Sequence, residues 1–370
     1  MRLLGRFAVA ALVLAGALER PVAVERPVFR PADAGWSKDQ PLQNNLLYVC
    51  IQDDAKIAVV DMAAKSVVRT IDLQKLGFPA TAKPHFVVVE PDGAYWYVSL
   101  IGANRVVKFD RQDRIAGQFE METPGMLALA ATDALIVSRS MSAVNPPKRI
   151  AIVRRSTMQG DELDVIFPRP HPVAFTPKGY AYTGSLGVNQ IASIALADDR
   201  VEIINVAGPT HSLVQYALSP DARTLVGSTE ISGQLLVFSL DDPAKPRLVK
   251  SVDVGKMAFD PVFAPDGRTV WVPVKATNDI AVVSTSDWGV TARFTDGSFK
   301  QPHQIVFSPD GRTAFVTNNN KMDHMADPAH VDHAMPGGDG MASLSIVDVA
   351  TRKVSSAIPL GKNLTGMGRR

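Results

Sequence analysis

The hydrophobic pattern of this chain is one of short strands separated by turns. Between Leu46 and Leu360, runs rich in β-branched and aromatic residues, such as YWYVSL and TVWVPV, alternate with breaks made of Pro, Gly, Asp and Asn. Runs of this kind predict antiparallel hairpins. Beyond the N-terminal segment the chain shows almost no helical pattern. We therefore expect an all-β fold.

A Pro-Asp-Gly turn marks a repeated unit. It occurs at 91–93, 265–267 and 309–311, and related tripeptides stand at 132–134, 177–179 and 220–222. The steps between the first positions are 41, 45, 43, 45 and 44 residues. Four short strands in about 40–45 residues is the size of one β-propeller blade. The repeat therefore predicts a propeller.

The two ends of the repeat region indicate how the ring closes. The first unit, from Leu46, has three strands, and the last unit ends at Leu360, which leaves the segment 361–370 without a blade. Pairing this segment into the first unit as its innermost strand would remove the open sheet edges. We predict one domain over 46–370, a seven-bladed β-propeller with four antiparallel strands per blade. Residues 26–45 would be an N-terminal extension.

The N-terminus has the pattern of an export signal. Arg2 and Arg6 precede the apolar run Phe7–Leu18, which is too short to span a bilayer and fits a signal peptide over residues 1–25. An uncleaved anchor is the alternative, because Glu19 and Arg20 interrupt the expected cleavage site. No later stretch is long enough to cross a membrane. We expect an exported protein, periplasmic or secreted.

Two segments carry a family resemblance. KPHFVVVEPDGAYWYVSL and KQPHQIVFSPDGRTAFVTN closely resemble the YVTN-repeat β-propellers, bacterial proteins that are commonly exported. The resemblance covers residues 46–370 and implies the fold, whereas one propeller frame hosts many activities. It extends distantly to the propeller domains of haem-containing nitrite reductase and copper-containing nitrous-oxide reductase. The chain has neither a Cys-x-x-Cys-His haem motif nor a second copper module.

Charge and cysteine content exclude several classes of function. The 370 residues include 39 Lys and Arg against 37 Asp and Glu, a net charge of +2. No basic surplus exists to neutralise a phosphate backbone, so nucleic acid is not an expected partner. The single cysteine, Cys50, excludes an intramolecular disulfide and thiolate zinc clusters.

The histidines suggest a site on one face of the propeller. His85, His171 and His303 each stand six residues before the Pro of a turn, where the chain leads into an innermost strand. His211 stands nine residues before its turn and is out of register, and Asp260 stands five before its own. Neutral imidazoles at a propeller axis would suit a transition-metal ion or a cofactor. Alternatively, each His only orders its own loop.

The segment 322–341, between two strands of the last blade, reads MDHMADPAHVDHAMPGGDGM. Histidine and thioether ligands together favour copper, so this segment is either a metal-binding cap over the same face or a solvent loop. The candidate metal ligands are therefore His85, His171, His211, His303, Asp260, Met322, His324, Met325, His330 and His333.

The leading functional hypothesis is a periplasmic binding or accessory protein that holds a metal ion, copper first, or a cofactor on the propeller axis. One alternative is a metal-dependent enzyme whose His-bound ion keeps an open coordination position. The other is a cofactor-free scaffold for protein–protein interaction. We expect a monomer that takes a metal ion or small ligand, with a periplasmic protein as a possible partner.

Overall fold

The fold is a closed ring of seven four-stranded antiparallel sheets. The computed structural model describes residues 45–140, 148–321 and 340–370, and within them no helix is long and apolar enough to cross a membrane. The predicted all-β, seven-bladed propeller is confirmed. The predicted signal peptide and nearly all of the extension before Leu46 lie outside the described residues, as does most of the 322–341 segment.

Each sheet is one blade, and strands are numbered along the chain. In blades one to seven, the innermost strands are β28 (Leu364–Arg369), β4 (Pro84–Val89), β8 (Pro124–Leu129), β12 (Pro170–Thr176), β16 (Leu213–Leu218), β20 (Val262–Phe263) and β24 (Pro302–Phe307). The second strands are β1 (Leu46–Ile51), β5 (Tyr95–Leu100), β9 (Ala134–Arg139), β13 (Tyr180–Ser185), β17 (Thr224–Thr229), β21 (Thr269–Val274) and β25 (Thr313–Asn318).

The outer half of each blade completes the sheet. The third strands are β2 (Lys56–Asp61), β6 (Arg105–Asp110), β10 (Arg149–Arg154), β14 (Gln190–Ala195), β18 (Gln234–Ser239), β22 (Asp279–Ser284) and β26 (Ala342–Asp348). The outermost strands are β3 (Ser66–Asp72), β7 (Ile115–Glu120), β11 (Gln159–Asp164), β15 (Arg200–Asn205), β19 (Arg247–Asp253), β23 (Val290–Thr295) and β27 (Lys353–Gly361). Short 3-10 turns occupy Gln52–Asp54, Gln74–Leu76 and Ile101–Ala103.

The repeated tripeptide is the hairpin turn between the first and second strands of a blade. Gly93, Gly267 and Gly311 have φ of 63°, 70° and 70°, a left-handed conformation that glycine adopts without steric cost. The Asp before each glycine accepts a backbone hydrogen bond two residues on, at 2.9–3.1 Å. Ala222 takes the same conformation at φ 55°. The conformation that this hairpin turn requires therefore explains why the tripeptide recurs along the chain.

The core lies between neighbouring blades. The second and third strands of the blades are almost wholly buried, whereas outermost strands such as β3 and β11 are largely exposed. Clusters of buried side chains each join adjacent blades; one contains Val59 and Trp96 from blades one and two, and another contains Val272 and Val237 from blades six and five. Blade-to-blade packing therefore holds the ring together.

The predicted closure of the ring is confirmed. Strand β28 pairs antiparallel with β1, and Leu46 and Arg370 exchange two backbone hydrogen bonds of 3.1 and 2.8 Å. Leu364 and Met367 pack into the cluster between blades seven and one. A Cβ atom on Gly366 would lie 2.4 Å from the carbonyl oxygen of His85, so β28 approaches β4 more closely than a larger residue allows.

Truncation after Leu360 should destabilise the protein severely. The deletion removes the innermost strand of blade one and takes Leu364 and Met367 out of the core, each worth about 1.5–3 kcal/mol of burial. With the ladder bonds also lost, we expect the free energy of unfolding to fall by at least about 4 kcal/mol. Urea unfolding followed by circular dichroism measures it.

A circular permutant is the matched control for this deletion. Because Leu46 and Arg370 are already paired, a short turn can join residue 370 to residue 45, so that 361–370 precedes β1 in the new chain. The permutant should keep most of the stability that the truncated chain loses. Equal midpoints for the truncated and full-length proteins would show that β28 does not close the ring.

Candidate functional site

All seven blades begin with the same unusual backbone conformation. In six blades the residue directly before the innermost strand, and in blade six the residue directly before the isolated bridge at Ala258, has φ between 44° and 59°, and none of the seven is glycine. These residues are Lys83, Thr123, Arg169, Ser212, Met257, Gln301 and Asn363. Left-handed conformations are uncommon for such residues and persist where the surrounding structure fixes them. This repeated turn directs each innermost strand into the centre of the ring.

A β-bulge follows the turn in six of the blades. The pairing of the innermost with the second strand shifts register just after Pro84, Pro124, Pro170, Leu213 and Pro302, and a similar shift occurs beside Leu364. A bulge redirects a side chain away from its regular alternation. The second residues of β4, β12 and β24 lie at these bulges and are His85, His171 and His303.

Blade six departs from this arrangement. Its innermost strand has only two residues, and an isolated bridge joins Ala258 to Val274 ahead of it. Asp260 lies in the irregular backbone between the bridge and the strand, where its N–H donates to the carbonyl of His303 at 3.2 Å. The Asp260 side chain is buried beside the imidazole of the neighbouring blade.

Seven further side chains, one from each blade, also surround the ring axis. In every blade, the residue that directly follows the second strand lines the central cavity. These residues are Gln52, Ile101, Ser140, Leu186, Glu230, Lys275 and Asn319. With the innermost strands they enclose a cavity of about 240 Å³ at one end of the ring axis, which we call the central funnel.

Hydrogen bonds set the orientation of two imidazoles. His85 Nδ1 is 2.9 Å from Gln52 Oε1, and His171 Nδ1 is 2.6 Å from the carbonyl oxygen of Val214. Since both partners are acceptors, each Nδ1 carries the proton and the lone pair of the neutral ring is on Nε2. His85 Nε2 is buried without a hydrogen-bond partner.

The third imidazole faces a carboxyl group. His303 Nδ1 lies 3.9 Å from Asp260 Oδ2, too far for a hydrogen bond, and the side chains are only 6% and 4% exposed. His303 Nδ1 and both carboxyl oxygens of Asp260 are buried with no hydrogen-bond partner. The His85 ring centroid is 6.2 Å from that of His171 and 6.2 Å from that of His303.

Burial controls protonation in the funnel. Loss of solvent, together with the charges of His171, Lys275 and Lys321, lowers the pKa of His85 to about 3. Burial also holds the pKa of His303 well below its usual value and raises the pKa of Asp260 to about 7. At neutral pH the imidazoles of His85 and His303 are therefore neutral, which is the form that binds metals.

Lys275 is a buried cation on the funnel wall. Its Nζ lies 3.2 Å from the centroid of the Phe259 ring, and within the described part of the chain it forms no ion pair with a carboxylate. Burial lowers its pKa well below the usual value, and Glu230 and Asp260 act in the opposite direction. No motif in the sequence marks Lys275.

Of the remaining candidate ligands, only His211 belongs to the described residues, and it is not brought to the funnel. His211 lies outside the cavity, and its ring nitrogens bond to Ser232 Oγ at 2.9 Å and to the carbonyl of Ala207 at 3.0 Å. Its offset register in the sequence agrees with this placement. The candidates of the 322–341 segment lie outside the described residues; they are Met322, His324, Met325, His330 and His333.

The donor groups of the funnel are close to one another but not arranged around one point. Among residues 45–140, 148–321 and 340–370, no three His, Cys, Asp or Glu side chains already form a metal-binding group. An ion bound at the funnel would therefore require its ligands to turn toward it.

Comparisons with known proteins support the fold. No family model and no curated protein matches the chain. A functionally unknown protein from Desulfotomaculum acetoxidans superposes with a TM-score of 0.69 at 13% identity over 88% of this chain and 99% of its own. A putative 6-phosphogluconolactonase from Bacteroides fragilis gives 0.67 and 14%, over 90% and 99%.

A third similar structure contains a bound ligand. Dihydro-heme d1 dehydrogenase NirN in complex with DHE superposes with a TM-score of 0.58 at 15% identity, over 93% of this chain and 77% of NirN. At these identities the likeness shows the propeller fold alone. The function must therefore be argued from the funnel of this chain.

The free energy of unfolding of the metal-free protein should depend on pH because of the buried carboxyl group of Asp260. Between about pH 4 and pH 7 the unfolded chain has released the Asp260 proton while the folded protein keeps it, so this group lowers the free energy of unfolding as pH rises. Asp260→Asn removes that dependence. The variant should gain up to about 4 kcal/mol relative to the wild type over this range.

Urea unfolding of both proteins at pH 4.5, 6 and 8, with chelator present, provides the measurement. His85 and His303 act in the opposite direction, because their lowered pKa values reduce stability as pH falls, but both proteins share this effect. A difference in stability between the two proteins that stays constant with pH would contradict the burial of an uncompensated carboxyl.

Proposed function

We propose that this protein is a binding or accessory protein that holds one transition-metal ion in the central funnel, with His85, His303 and Asp260 as ligands and His171 beside them. The observation that carries the proposal is the set of buried donor atoms without partners on three side chains from three blades. Structural hydrogen-bonding roles do not account for them. A metal ion would use these atoms together.

The free-energy cost of burying polar atoms without partners also favours a bound ion. A buried polar atom without a partner costs about 1–3 kcal/mol, and four such atoms occur on His85, His303 and Asp260. Two donors bound to one ion, each about 2.0–2.2 Å from it, lie about 3–4 Å apart. The 3.9 Å between His303 Nδ1 and Asp260 Oδ2 is within that range. Small side-chain rotations would complete the site.

The surroundings of the imidazoles support the same proposal. Metal-binding histidines commonly donate their other ring N–H to a carbonyl or carboxylate, which fixes the tautomer. Gln52 and the carbonyl of Val214 do this for His85 and His171. A bound cation would also compensate the ionised carboxylate of Asp260 and release its proton near neutral pH.

Copper is our first choice of metal. Imidazole and carboxylate ligands suit several divalent ions, and among first-row metals the affinity of such sites peaks at Cu²⁺. The thioether-bearing side chains of Met126 and Met257 also line the cavity, and thioether sulfur suits the cuprous ion. We further propose that the protein is an exported, monomeric member of the YVTN-repeat propellers, on the strength of its N-terminal sequence and repeat motifs.

Metal titration of the untagged protein tests the proposal. Chelator-treated wild-type protein should bind one Cu²⁺, and the double variant His85→Ala/His303→Ala should bind it at least 100-fold more weakly, because it removes two of the proposed ligands. Isothermal titration calorimetry gives the affinity, and elemental analysis after dialysis gives the stoichiometry. Zn²⁺ is titrated in parallel to rank the metals.

His211→Ala is the matched control. It removes a buried imidazole of the same face whose nitrogens are already bonded to Ser232 and Ala207, so metal affinity should change less than threefold. Circular dichroism establishes that each variant is folded. One equivalent of copper bound with unchanged affinity by the double variant would place the metal elsewhere, and no binding by the wild type would refute the proposal.

A further inference from the structure

Charged side chains are concentrated on one side of the funnel wall. Ile101, Met126, Leu186 and Val214, from blades two to five, form an apolar arc. The charged side chains lie mainly in blades five to seven, and they are Glu230, Asp260, Lys275 and Lys321, with Lys83 on blade two. A metal ion alone requires neither the apolar arc nor the lysines. This division points to a second ligand component.

The charged side chains that line the cavity indicate which charge the second ligand would carry. Three lysines face two carboxyl groups among the described residues that line the cavity. A divalent ion bound as proposed above would add two further positive charges and engage Asp260. The loaded funnel would then carry excess positive charge in a site of low dielectric constant, which favours an anion.

Lys275 is the residue that would contact this anion. Its side chain is only 5% exposed, it forms no ion pair within the described residues, and its Nζ rests on the Phe259 ring in the wall of the cavity. A buried ammonium without a counter-ion is costly, and an anionic ligand would compensate it. Lys321 is half-buried and Lys83 is exposed, so both can attract an anion at the opening.

We infer that the funnel binds a small carboxylate or oxyanion between the metal ion and Lys275, an inference that rests on the proposed metal site. The size of the cavity limits the ligand. About 240 Å³ is slightly below the range of about 300–1,000 Å³ typical of sites for drug-sized molecules. An anion of a few heavy atoms fits beside an ion, with any apolar part against the arc of blades two to five.

Anion titration of the copper-loaded protein tests the inference. Acetate and inorganic phosphate are titrated separately, which distinguishes a carboxylate from an oxyanion of phosphorus, and the copper content of each sample is measured afterwards. We expect Lys275→Leu to weaken binding of the preferred anion at least tenfold while copper stays at one equivalent. Leucine suits a buried position and carries no sulfur that could bind copper, so the variant should fold and leave the metal ligands unchanged.

Lys353→Leu is the matched control, since Lys353 is exposed on β27, the outermost strand of blade seven. Its anion affinity should equal that of the wild type. If neither anion binds the copper-loaded wild type, or if Lys275→Leu binds the anion equally well with full copper content, the anion site is refuted while the metal site stands. If the wild type takes up no copper, the metal site fails and the bridged anion fails with it.

Discussion

The antiparallel pairing of β28 with β1 is the contact on which the rest of the structure depends. It joins the two ends of the chain, so each blade has a neighbour on both sides and the buried clusters form a continuous ring. Only a closed ring brings innermost strands of blades two, four and seven to a common axis. The position of His85 also depends on it, because Gly366 of β28 lies against the His85 backbone.

Within this ring, the same left-handed backbone turn occurs at the start of all seven blades, whereas the side chains that follow it differ. A left-handed residue directly precedes the innermost strand in six blades, where a bulge follows it, and precedes the isolated bridge at Ala258 in blade six. The scaffold therefore offers seven equivalent positions, and their chemistry depends on the residues placed there. His85, His171 and His303 use three of them, and the shortened strand of blade six admits Asp260. Packed neighbours hold His85 Nε2, His303 Nδ1 and the carboxyl oxygens of Asp260 without hydrogen-bond partners from the protein.

The sequence predicted the fold well, because the turn chemistry is local. A Gly after Pro-Asp marks a left-handed turn wherever it occurs, so the period and the ring closure could be read directly. The histidines were recognisable by a constant spacing from that turn. Lys275 and Glu230 were not, because they follow ordinary β runs and nothing local shows that such residues face the axis. The lack of partners around Asp260 depends on contacts between blades six and seven, which only the assembled ring determines.

The central claim is that the unpartnered donors of the funnel bind a metal ion. Diffraction from crystals of the copper-loaded protein, recorded on both sides of the copper absorption edge, tests it most directly. The account predicts one strong anomalous peak on the ring axis, bonded at about 2.0–2.2 Å to nitrogens of His85 and His303 and an oxygen of Asp260. A funnel without an anomalous peak in crystals that contain copper, with the metal bound elsewhere, would contradict it.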